Sequence, residues 1–209
     1  MRPIAFLFML VPLVACDGSA APQGPTAATV AAQQGDVPAG MARCDLSGDI
    51  ASFLNQEKDS DPATYQSTKS QWDDARSKNA TAAYVAVFAD SKAHCDSIKT
   101  SGADLGAATY KVVINFVVQF KDQPSAAKAY TSETIFNISA GDLKNRSDAV
   151  EGEKTGLSSN SIVLDTLVAS QSYYIAVWQN KQFLVILAVL NTDSASAKKV
   201  ATAENSRIK

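Results

Sequence analysis

This chain of 209 residues has one histidine, three cysteines and no concentration of charge of either sign. His94 stands alone, so a Ser-His-Asp triad would have to be built around that one side chain. It adjoins Cys95, yet a Cys-His nucleophile needs a free thiolate, and helix neighbours i and i+1 do not face each other. The 19 basic and 21 acidic residues leave a formal charge of -2 and are scattered along the sequence. Nucleic acid is excluded as a partner, because that role needs a clustered basic footprint.

Catalytic signatures are also missing. There is no Gly-x-Ser-x-Gly elbow. Gly152-Glu153-Lys154-Thr155-Gly156 holds the residue types of a phosphate loop in the wrong order, without the Gly-Lys-Ser ending that opens a helix. It reads as a turn. The following Gly156 to Ser161 could offer backbone N–H groups to an anion, although turn chemistry accounts for its composition. Glu57, Asp59 and Asp61 alternate as in a calcium loop, but the glycine and the bidentate glutamate are absent. These three read as a solvated connection between helices. No cofactor or metal is implied, and no apolar run reaches the roughly 20 residues of a membrane span.

What is present begins at the N-terminus. Met1-Arg2 leads into Ile4 to Val11 and then small residues, the layout of a secretory signal. Leu13-Val14-Ala15-Cys16 closes the run and resembles the lipobox of bacterial lipoproteins. That resemblance implies cleavage before Cys16 and diacylation of its thiol, a palmitate-type anchor in the cell membrane with the domain facing outside the cytoplasm. Asp17 resembles the enterobacterial signal for inner-membrane retention. An ordinary signal cut after Ser19-Ala20-Ala21 is the alternative. The expected layout is a signal peptide over 1–15, an Ala/Gly/Pro/Gln tether over 16–41 and one extracytoplasmic domain over 42–209. The tether has no aromatic residue and almost no charge, too little to offset ordering entropy by burial.

With Cys16 given to the lipid, Cys44 and Cys95 remain as a pair in an oxidising compartment. Two free buried thiols, or a metal pair, are the other readings, although the close partner cysteines or histidines of a zinc site are lacking.

Helical spacing of Leu46, Ile50, Phe53, Leu54 and Glu57 predicts a first helix, capped by Asp45 or Ser47. Asp61-Pro62 starts a second. Tyr84, Val87, Phe88, Ser91, Cys95 and Ile98 predict a third helix after Asn79. From Tyr110 the period becomes two, with Val112, Ile114, Phe116, Val118 and Phe120 on a core face and Val113, Asn115, Val117 and Gln119 on a half-wet one. A helix to about Phe136, a loop over 137–154 with room for one short strand, strands over 162–168, 173–178 and 183–190, and a helix capped by Asp193 follow. The run of Phe183 to Leu190 is apolar on both faces and predicts a central strand. The fold class is α+β: about three helices, then β-α-β-β-β-α on a mostly antiparallel sheet.

Function follows from the address and from the missing constellations: a non-catalytic binding or interaction domain for a small molecule, peptide or envelope protein. Asn115, Gln119 and Trp178 on the half-polar sheet face are the candidate ligand residues. The aromatics Tyr65, Trp72, Tyr84, Tyr173, Tyr174 and Trp178 could line a cleft, but at core periodicity they read first as core. An envelope hydrolase using carboxylates or serine, and a structural envelope protein, are the rivals.

Overall fold

Asp49, Asp61, Ser91, Ser139 and Asp193 each precede a helix and accept a backbone N–H from its first turn with the side chain. Short polar side chains at such positions satisfy donors that the helix itself cannot. The computed structural model describes residues 24–132 and 138–208. The caps open α2 (Ile50–Ser60), α3 (Pro62–Ser77), α4 (Lys92–Thr100), α6 (Ala140–Lys144) and α7 (Ser194–Arg207). Thr26 caps the short α1 (Ala27–Val30), and α5 spans Gln123–Ser132.

The strands are β1 (Ala42–Arg43), β2 (Gly48–Asp49), β3 (Ala80–Ala89), β4 (Val112–Phe120), β5 (Ala149–Glu151), β6 (Asn160–Val168), β7 (Gln171–Asn180) and β8 (Phe183–Leu190). They form one eight-stranded sheet in the order β1-β3-β4-β8-β7-β6-β5, with β2 also paired to β3. Every pairing is antiparallel. The α+β class and the antiparallel sheet expected from the sequence are both present, and β8 lies centrally between β4 and β7.

Alternation along each strand divides the core in two. Val85, Val87, Phe116, Val118 and Ile186 belong to a cluster on one face, with Phe53 of α2, Ile98 of α4 and Ala126 of α5. Phe88, Val113, Val117, Trp178 and Leu187 belong to a second cluster with Val30 of α1 and Val200 of α7. Each face is therefore roofed by helices, and the central strands read as continuous apolar runs.

Three expectations are corrected here. The third helix after Asn79 is instead a strand and a shorter helix, β3 and α4. Ala80–Ala89 is alanine-rich and suits helical spacing, but Val85, Val87 and Phe88 are buried on both faces, and pairing along β4 decides the conformation. Asn79 breaks the chain between α3 and β3 with a positive φ of 74°. The sheet face bearing Asn115 is not half-wet, because α1 and α7 cover it. The tether expected over 16–41 is folded from Thr26 onward, where α1 is capped: Ala27, Val30, Ala31, Ala32, Val37 and Met41 are buried. A low-charge Ala/Val segment, too apolar to remain a pure spacer, finds a sheet face to cover. Arg207 fixes it further, pairing with Asp36 and donating to the carbonyls of Val30 and Ala31. The signal peptide, Cys16 and residues 17–23 lie outside the described residues.

Candidate binding cavity

The helices over the first face do not fill it. Between α2, α3, α4 and the sheet lies a cavity of about 540 Å³, within the range of roughly 300–1,000 Å³ of small-molecule sites. Its floor is sheet: Val85 and Val87 from β3, Ile114 and Phe116 from β4, Ile186, Ala188 and Leu190 from β8, Tyr173 and Ile175 from β7. Its walls are Leu46, Phe53 of α2, Ile98 of α4, the 3-10 segment Gly102–Ala107 through Gly102 and Gly106, and Ile138. Polar groups gather where α2 gives way to α3: Glu57, Thr64, Ser67 and Thr68.

Glu57 is the exceptional member. It occupies the apolar stripe of α2 with Ile50 and Phe53, at spacings of seven and four residues, and is 1% exposed. Among the described residues, neither carboxyl oxygen has a hydrogen-bond partner. Burial pushes the carboxyl up to about 7, the charge of Asp61 adds to the rise, and Lys99 opposes it. A buried polar group without a partner is costly, so this side chain is held in an unfavourable setting by the packing around it.

Asp61 is four residues on and differs in every respect. Its Oδ1 accepts from the Thr64 N–H, and its Oδ2 accepts from the Thr64 hydroxyl and the Gly102 N–H. Burial acts to raise its carboxyl, and these hydrogen bonds together outweigh burial and hold it below the ordinary aspartate value. Asp61 thereby ties the start of α3 to the cavity wall at Gly102. Of the two carboxyl groups, Glu57 lines the cavity and Asp61 does not, its oxygens being held by Thr64 and Gly102.

Asn115, Gln119 and Trp178 lie away from this cavity, in or beside the layer under α1 and α7. Asn115 is fully buried; it accepts from the Ala32 N–H and donates to the Ile186 carbonyl and the Glu204 carboxylate. Gln119 accepts from the Ala27 N–H. Trp178 is fully buried within the second cluster. Asn115 and Gln119 dock the N-terminal segment, so the structure does not bring the three to an open binding surface. Burial pushes the Glu204 carboxyl well above its ordinary value, against the charge of Arg207.

Cys44 and Cys95 are joined in a disulfide with a Cα–Cα distance of 5.3 Å, stapling α4 to the segment after β1. Cys95 is thus no thiolate. His94 stacks on Tyr110 and pairs with Asp90. Gly152 and Gly156 take positive φ in a 3-10 turn over Gly152–Thr155, as their turn reading required. Of the aromatics considered for a cleft, Tyr173 lines the cavity. Glu57, placed by its sequence neighbours in a solvated connection, is instead the buried carboxyl of the site. Its place on the stripe of Ile50 and Phe53 was the signal available. Among the described residues, no group of three or more His, Cys, Asp and Glu side chains could hold a metal ion, and no helix is long and apolar enough to cross a membrane.

No family model matches the chain, and no curated protein matches it. Among solved structures, the extracellular domain of PknH from Mycobacterium tuberculosis is similar with a TM-score of 0.49 and 11% identity, over 89% of this chain and 97% of that one.

Proposed function

We propose that this chain is a lipid-anchored extracytoplasmic binding protein that holds an apolar small molecule in the cavity between the sheet and α2, α3 and α4. The observation that carries this reading is the largely apolar cavity of about 540 Å³, floored by four strands and walled by helices. Protein interiors ordinarily pack to the density of organic crystals, so a void of this size at the centre of a layer is the default place for a ligand. The anchor is argued from Leu13-Val14-Ala15-Cys16, and the disulfide fits an oxidising compartment.

The test is a cavity-filling substitution. Ala188 sits on the floor in the middle of β8, and Ala188→Phe places a ring in the void. The expected result is that an apolar fluorescent probe binds the wild-type chain and not Ala188→Phe, while the thermal midpoint is unchanged or higher. Equal probe binding by both chains would remove the cavity from the reading. The hydrolase rival has no support from the engaged carboxylate of Asp61, and a structural role leaves the void without a purpose.

A further inference from the structure

Glu57 gives the cavity a polar end that apolar ligands alone do not explain. Its carboxyl is 1% exposed, lines the void, and has no hydrogen-bond partner among the described residues. The hydroxyl-bearing residues Thr64, Ser67 and Thr68 stand at the same end, and the rest of the lining is almost wholly apolar. We propose that the ligand is an amphiphile with a protonated amine, its apolar body on the sheet floor and its ammonium received by the Glu57 carboxylate. This inference rests on the cavity being a binding site.

Two observations favour a cation over a neutral donor. Asp61 acts on Glu57 more strongly than Lys99 opposes it, the direction that favours a positive neighbour. Asp61 stays ionised because the Thr64 and Gly102 hydrogen bonds outweigh its burial. An ammonium also carries three donors, enough to serve both Glu57 oxygens. A hydrogen bond in which either partner is ionised is about twice as strong as a neutral one, and an ammonium adds the attraction of its own charge. Burial raises the Glu57 carboxyl to about 7, and an adjacent ammonium would offset that rise.

A matched pair of compounds tests the head group. The purified full chain is titrated calorimetrically with octylamine and with octanol in mildly alkaline buffer, alongside Glu57→Gln, Glu57→Asp and Ala188→Phe. The expected result is that the wild type binds the amine roughly tenfold or more tighter than the alcohol. Glu57→Gln loses that preference, its affinity for the amine falling to about that for the alcohol. Glu57→Asp retains the charge and a preference for the amine, which separates loss of charge from loss of fold. Equal binding of amine and alcohol by the wild type, or an amine preference that survives in Glu57→Gln, overturns the Glu57 assignment and leaves the cavity reading standing. Absence of binding by both compounds overturns both.

Discussion

A single carboxyl buried without a partner should be visible in the pH dependence of stability. Glu57 titrates at about 7 when folded, against 4.5 as its reference value. Below the reference value it is protonated in both states and costs nothing. Between the two values the unfolded chain ionises while the folded chain holds its proton, so stability falls as pH rises. The loss from Glu57 is on the order of 3 kcal/mol. Glu204 is also raised and acts in the same direction. Asp49, Asp61, Asp90 and Asp193 are lowered, so their contribution is present above the ordinary aspartate value and disappears as pH falls below it. Urea denaturation across pH should therefore show a maximum near pH ~4 to 5. In Glu57→Gln the decline above that maximum should be shallower, retaining the Glu204 part. On the opposite face, Asn115→Leu should cost roughly 3 kcal/mol by stripping the Ala32 N–H and the Glu204 carboxyl of a buried partner. Octanol binding in the cavity should not change, since Asn115 faces the other layer.

At the scale of elements, the signals that decided the fold were of unequal legibility. The alternation in β4, the continuous apolar run of β8 and the caps at Asp61 and Asp193 were readable directly, because each is a local pattern with one structural solution. β3 was not: Ala-Thr-Ala-Ala-Tyr-Val-Ala-Val-Phe-Ala suits either period, and pairing with β4, some 30 residues on, selects the strand. The N-terminal segment was illegible for the same reason, since its alanines and Val30 gain burial from a sheet face assembled by residues far away. Glu57 was hidden by its chemistry; a carboxylate in an acidic run reads as solvated until the packing around it is known. A chain starting at residue 24 should unfold at the same urea concentration as the full chain. One starting at residue 42 should lose roughly 5 kcal/mol, from the lost burial of Val30, Val37 and Met41 and the uncovering of Phe88. The disulfide spans 51 residues of sequence, so reducing it, or Cys95→Ala, should cost about 4 kcal/mol in the same assay by chain entropy.

For the whole molecule, the folded N-terminal segment changes how the domain would sit on a membrane. A tether ending at residue 41 would let the domain range well away from lipid. With packing established from Ala27, the eleven peptide steps from Cys16 can span no more than about 40 Å even when fully extended. An acylated Cys16 would thus hold the domain near the bilayer by the sheet face that α1 covers, the face opposite the cavity. Two or more acyl chains, each worth about 0.8 kcal/mol per buried CH₂, hold a protein far more firmly than one. The described domain has its own two core clusters and staple, so it does not depend on the anchor for its fold. Cys16→Ala should therefore move the chain from the membrane fraction to the soluble fraction while its urea midpoint stays the same. The mass of the membrane-extracted wild type should exceed that of a chain cut before Cys16 by the acyl groups. A Cys16→Ala chain that remains with the membrane would assign attachment to some other surface of the domain, and an unmodified mass starting after Ala21 would replace the lipid with an ordinary cleaved signal.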